Sequence, residues 1–316
     1  MFRVFVICMV AAVCSICSAA SAAWMTNLRE AGEVAKKENK YVLVEFTGSD
    51  WCRYCIIQKK TVLDTPEFCA WLAKHCVPVE IDVPHDATLV GGEQQKLENY
   101  RICEEYQVNR FPTVLLLSPH GALIGGYHGA QPTAAAAIAA LEKLFPDGEK
   151  MAAAMKKNGA ERTLSLKQIY DSQTEKVRKG NFRLLELIAL ADEGDTTGVK
   201  KEYTARKQMK LLTAELDKAD GDEKKMEAIE KTLAEANDIN RAEILKIKEI
   251  QLREMGFRLY RSPQSVEDII RSRDLTLRAI ECVTDAKARE AQLQQARAFY
   301  ADPEALYRAR TGKKKE

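Results

Sequence analysis

Apolar and polar positions along this chain follow two periods in turn, and the change of period divides it. Leu28, Ala31, Val34 and Ala35 recur at helical spacing behind the capping residue Asn27. The run Tyr41–Thr47 that follows is rich in β-branched and aromatic residues and reads as a strand. A second helix is expected just after Trp51. A third starts at Thr65-Pro66, where a capping hydroxyl precedes a proline suited to the first helical position. Residues 77–83 read as a strand, residues 92–106 as a loop running into a helix, and residues 113–118 as another strand. Pro119-His120-Gly121 turns the chain into a hairpin partner at 122–127, and a helix at 133–144 closes the unit. The order is βαβ-like and then ββα, an α/β fold with a mixed central sheet flanked by helices.

Beyond this point the apolar residues are spaced by three and four. Leu212 and Leu216, then Met226, Ile229, Leu233 and Ala236, then Leu245, Leu252 and Met255 mark amphipathic helices with charged outer faces. Ser262-Pro263 and Asp302-Pro303 read as starts of helices and Gly256 as an end, giving an all-α region of five to seven helices without a sheet. Charged residues rise from 31 in residues 1–150 to 63 in residues 151–316. The boundary is therefore placed at the Pro146-Asp147-Gly148 turn, between domains at 23–147 and 148–316, with a solvated basic tail at Lys313-Lys314-Lys315.

Residues 1–22 are read as a signal peptide. Arg3, an apolar run of about ten residues and the small residues Ala20-Ser21-Ala22 are its three parts, and the run is too short to span a bilayer. A periplasmic or secreted location follows, with no stable membrane span after cleavage and conditions in which disulfides persist. With 48 basic against 46 acidic residues, the net charge of +2 offers no case for nucleic acid binding, and 46% hydrophobic residues exclude a disordered chain.

The candidate chemistry lies in Trp51-Cys52-Arg53-Tyr54-Cys55. A C-x-x-C after a buried strand and at the start of a helix is the context of a redox motif, because free N–H groups and the helix dipole stabilise a thiolate. Cys52 is then the exposed nucleophile and Cys55, one turn further in, the buried resolving thiol. Zinc would need two more ligands, haem attachment would need His where Ile56 stands, and the paired glycines lack phosphate-loop spacing. No cofactor beyond the Cys52–Cys55 disulfide is expected, and no metal. Cys69, Cys76, Cys103 and Cys282 are expected to be buried, with a Cys69–Cys76 bridge open only if a helix ends between them. The four histidines show no partner pattern.

On these residues the span from about 25 to 145 resembles the thioredoxin superfamily. Phe46-Thr-Gly-Ser-Asp-Trp-Cys52 with Asp64-Thr-Pro-Glu-Phe68 is similar to exported bacterial thioredoxin-like proteins related to thiol:disulfide interchange proteins. Val108-Asn-Arg-Phe-Pro-Thr-Val114 looks like the family's cis-proline loop, which implies that Pro112 faces the cysteines and pairs with an extended substrate. The resemblance implies that Glu45 is a buried acid accepting the Cys55 proton. The alternation of a half-buried strand over Tyr41–Thr47 leaves a second reading open, an outward-facing strand glutamate. Trp51, Arg53, Tyr54 and Phe111 are the expected substrate contacts, and Arg53 brings a cation close to the Cys52 thiolate. The function implied is thiol-disulfide exchange with protein thiols and disulfides, recharged by a separate redox partner. The alternative is a non-catalytic scaffold or adaptor whose helical domain binds a protein partner.

Overall fold

The computed structural model describes residues 23–312, so the proposed leader and the basic tail lie outside the described residues. Helix α1 (Leu28–Glu38) begins where the Asn27 side chain accepts the N–H groups of Arg29 and Glu30. Strand β1 (Tyr41–Thr47) is buried at every position after Tyr41, so both faces are covered. Helix α2 (Arg53–Gln58) passes into a π-helical turn, Lys59–Leu63, and α3 (Pro66–His75) starts on the Thr65 cap with Pro66 in its first turn. Strand β2 (Cys76–Asp82), helix α4 (Glu93–Glu105), strands β3 (Thr113–Leu117) and β4 (Leu123–His128), and helix α5 (Ala134–Glu142) complete the expected order.

The sheet order is β2-β1-β3-β4, with β1 parallel to β2 and the other pairs antiparallel. The register sets Glu45 opposite Glu80 on β2 and Val114 on β3. Met25 adds a parallel bridge at Val79, its N–H donating to the Pro78 carbonyl at 3.0 Å and its carbonyl accepting from Glu80 N–H at 2.8 Å. A core of Val42, Val44, Phe46, Val79, Ile81, Leu115 and Leu117 packs with Ala31, Ala35 and Tyr106 from the flanking helices.

The expected boundary at 147/148 is not where the molecule divides. Its two compact units meet at Asp192/Glu193. Pro146-Asp147-Gly148 is the first turn of α6 (Phe145–Met155), where a proline and an acidic side chain suit a helix start as well as a turn. Phe145 stacks on Tyr41 and Trp71, with centroids 5.2 and 6.1 Å away. Helices α7 (Gly159–Ser172), α8 (Glu175–Lys179) and α9 (Phe182–Ala191) also belong to the first unit. Buried Asn181, the cap of α9, accepts Leu123 N–H and donates to Leu123 carbonyl, both at 2.9 Å, occupying an edge of β4 as a strand would.

The second unit contains α10 (Lys200–Lys218), α11 (Asp222–Ala234), α12 (Arg241–Arg261), α13 (Val266–Glu281), α14 (Ala286–Phe299) and α15 (Pro303–Thr311). It has no strand among its described residues. Among the described residues nine helices therefore start after residue 148, more than the five to seven expected; α8 is one short turn, and the largely apolar α9 hides its period. Gly256 does not end a helix. It lies inside α12, where a Cβ would come 3.2 Å from the Ser272 carbonyl of α13, and Ser272 Oγ donates to the Gly256 carbonyl at 2.8 Å. The start of α13 is capped by Ser265 rather than Ser262, whereas Asp302-Pro303 starts α15 as expected. Leu212, Ile229, Leu233 and Ile244 form one apolar cluster of this unit, and Leu252, Ala279 and Cys282 another. No helix among the described residues is long and apolar enough to cross a membrane.

Candidate active site

The site begins where β1 ends. The Ser49 N–H and hydroxyl both donate to the Asp82 carboxylate, at 2.9 and 2.5 Å, and Asp50 accepts the N–H groups of His85 and Asp86 at 2.9 Å each. These bonds tie the segment before the cysteines to the chain leaving β2. Hydrogen bonds from backbone N–H groups hold the Asp50 carboxyl below its ordinary range. Trp51 completes the clasp. Its Nε1 donates to the Val83 carbonyl at 2.8 Å, its indole stacks on His85 at 5.7 Å, and Phe111 meets it edge-on at 5.6 Å. Gly48 permits that position, since a Cβ there would stand 2.3 Å from the indole.

Cys52 is the N-cap of α2 and Cys55 lies in its first turn; the two form a disulfide with Cα atoms 5.2 Å apart. The Cys55 N–H points at Cys52 Sγ from 3.2 Å, so a helix-end donor is already aimed at the sulfur that would carry charge when reduced. In the disulfide form Cys52 keeps 6% of its exposure and Cys55 1%, so Cys52 is less open than expected. Arg53 and Tyr54 are exposed, and Ile56 and Ile57 extend the apolar rim beyond the residues expected from sequence. The Phe111–Pro112 peptide bond is cis, and the Pro112 carbonyl accepts Gly129 N–H at 2.8 Å.

Glu45 points inward and is fully buried, which removes the outward-facing reading. Its Oε2 lies 3.4 Å from Lys59 Nζ, and Lys59 also reaches Glu80 Oε2 at 2.5 Å. Lys59 follows Cys55 by one helical turn, so the acid is tied to the helix that carries the pair. Burial pushes the Glu45 carboxyl up to about 7, with Lys59 opposing the shift and Glu80 adding to it. Burial opposes the charge on Lys59 too, but Glu45 and Glu80 outweigh it and hold the ammonium above its usual range. Glu45 Oε1, Gln58 Nε2 and the Tyr127 hydroxyl are buried without a hydrogen-bond partner. The Tyr127 phenol is pushed up by burial and by the Glu45 charge, which places it in the same electrostatic neighbourhood.

Cys69, Cys76, Cys103 and Cys282 are free thiols, with Cys69 within α3 and Cys76 at the start of β2. Burial raises Cys76 far and Cys103 to about 12, so neither is a thiolate near neutral pH. Sequence reasoning did not find Lys59, Glu80, Tyr127 or His85. A lysine four residues after Cys55 was a local signal for the first; the others depend on the register of strands and on loop packing.

Comparison with known proteins agrees with this geometry. A thioredoxin-like domain model matches residues 28–145. Over 92 residues the chain is 33% identical to the disulfide bond reductase DsbH of Chlamydia pneumoniae, covering 29% of this chain and 54% of that protein. It is 31% identical over 95 residues to the thioredoxin-related protein DsbJ of the same organism, covering 30% of this chain and 27% of that one. The chain thus spans about half the length of one curated relative and about a quarter of the other. A solved DsbH oxidoreductase aligns with 40% of this chain and 86% of its own at 27% identity, with a TM-score of 0.37. Residues 28–145 thus match a thioredoxin-like domain, and over that span the chain is similar to the disulfide bond reductase DsbH and the thioredoxin-related protein DsbJ.

Proposed function

We propose that the protein is an exported thiol-disulfide oxidoreductase that exchanges disulfides with protein substrates through Cys52 and Cys55. The observation that carries this reading is the Cys52–Cys55 disulfide at the N-terminus of α2, with the Cys55 N–H aimed at Cys52 Sγ. When the pair is reduced, the Cys52 thiolate attacks a substrate disulfide; one substrate sulfur leaves as a thiolate and takes up a proton, and a mixed disulfide forms. Cys55 then gives its proton to the Glu45 carboxylate and attacks Cys52 Sγ, closing the internal disulfide and releasing the second substrate sulfur. Run backwards, the same steps oxidise a dithiol. Trp51, Tyr54, Ile56, Ile57 and Phe111 offer the apolar face against which an extended substrate beside Pro112 would lie. A separate redox partner resets the pair.

The division of labour between the two sulfurs is the test. Cys55→Ser should accumulate reducible adducts on non-reducing gels, because the mixed disulfide lacks its intramolecular attacker. Cys52→Ser should trap little, since Cys55 is buried and lacks the position at the helix end. Absence of adducts from both variants, with partner recovery unchanged, would replace this reading with the scaffold.

A further inference from the structure

The ion triad behind the cysteine pair has a fourth member. Lys59 Nζ, shared by Glu45 and Glu80, lies 4.1 Å from the centroid of the Trp24 ring. Trp24 is half-buried, and its neighbour Met25 is bonded into the edge of β2 on both sides, through Pro78 and Glu80. The segment that carries the indole is therefore anchored to the strand that carries Glu80. Lysine is a flexible point charge, and two carboxylates compete for it here. An aromatic face attracts the ammonium as well as covering it, so it limits where that charge can sit.

We infer that Trp24 is a positioning residue for the proton step at Glu45: its indole face, anchored through Met25, holds the Lys59 ammonium in the place where it serves Glu45 as well as Glu80. This rests on the oxidoreductase reading for its purpose but not for its physics. The charged and titratable groups facing Glu45 are Lys59 from the start of the π-helical turn, Asp64 after that turn, Glu80 from β2 and Tyr127 from β4; its neighbour on β3, Val114, is apolar. Lys59 is the cation among them. If its ammonium drifts toward Glu80 and water, the ionised form of Glu45 loses its countercharge and holds its proton to higher pH.

The test separates the π face from mere cover. Trp24→Phe keeps an aromatic face, whereas Trp24→Leu keeps apolar bulk without one. The 13C resonance of the Glu45 carboxyl carbon, followed against pH in the full chain, should move its midpoint up by about 0.5 unit in Trp24→Leu and stay near the wild-type value in Trp24→Phe. Lys59→Met, which removes the charge itself, should move it further in the same direction. Should Trp24→Leu fail to fold, tetrafluorotryptophan in place of tryptophan weakens the π face at nearly constant shape and should raise the midpoint likewise. An unmoved midpoint in Trp24→Leu or in the fluorinated protein, or equal shifts in the Leu and Phe variants, overturns the inference. The titration needs no turnover, so a protein inactive in disulfide exchange would sink the oxidoreductase reading and leave this result standing.

Discussion

Glu45 and Glu249 are buried carboxylates, one in each compact unit, and their surroundings treat them differently. Glu249, on α12, has a cation for each oxygen: Lys246 Nζ at 2.8 Å from Oε2 and Arg253 Nε at 2.9 Å from Oε1, with Arg253 also bonded to Gln292. Burial works against its charge, but the bonds from Lys246 and Arg253 outweigh that and keep its carboxyl below the usual range. Glu45 is more deeply buried, shares one lysine with a second carboxylate and has one oxygen without a partner. Its carboxyl rises to about 7. Two local partners on the same helix make a buried acid a fixed anion and a structural element. One shared partner, distant in sequence, leaves it able to gain and lose a proton near neutral pH, as the proton acceptor proposed for Cys55 would have to.

This contrast can be broken most decisively through stability against pH. A folded-state value of about 7 against 4.5 means that Glu45 is protonated in both states at low pH. As pH rises the unfolded chain releases the proton first, so stability present below about pH 4.5 is lost as pH passes through about 7. The loss is on the order of 3 kcal/mol from this one group. Glu45→Gln should abolish that loss, making the variant the more stable protein at pH 8 in urea denaturation. All three tryptophans, Trp24, Trp51 and Trp71, lie in the first unit, so their fluorescence reports that unit's unfolding. An unchanged pH dependence would show that Glu45 is not the group that titrates.

Turnover sharpens the same comparison. Glu45→Gln should slow disulfide exchange by roughly 10- to 100-fold while leaving alkylation of reduced Cys52 essentially unchanged, because attack precedes the proton step. Glu249→Gln should leave both rates at the wild-type level. The smallest effect expected is on the second unit. There Glu249→Gln should cost about 1 kcal/mol at neutral pH, discounted because Lys246 and Arg253 remain partly solvated. In the wild type that contribution is present above the ordinary glutamate range and disappears as pH falls through the depressed folded value. Circular dichroism of the transition that tryptophan fluorescence does not see would measure it.

Several features of the site were legible in the chain because they are local. The cysteine spacing, the start of α2 at Cys52 and the Thr65-Pro66 start of α3 each follow from a few adjacent residues, whereas the Phe111-Pro112 loop was legible only through the family resemblance. The direction of Glu45 was not legible locally, since alternation carries no information in a strand buried on both faces, and β1 is such a strand. Pro146-Asp147-Gly148 misled for another reason: the same three residues suit a turn and a helix start, and aromatic packing by Phe145 decides between them. Gly256 suits a helix end by its residue type alone, whereas in the fold it allows the close approach of α13 to α12.

The cysteine pair, its place at a helix N-terminus, the α/β order of the first unit and the helical character of the second can be read from the chain, because short-range spacing, capping and periodicity set them. The surroundings of Glu45 arise from long-range packing alone. Lys59 is 14 residues from it and 21 from Glu80, and Glu80 faces it through strand register. A carboxyl's proton affinity depends on the charges and the burial around it in space, and that environment exists only once the strands are paired and the segment at Trp24 is in place.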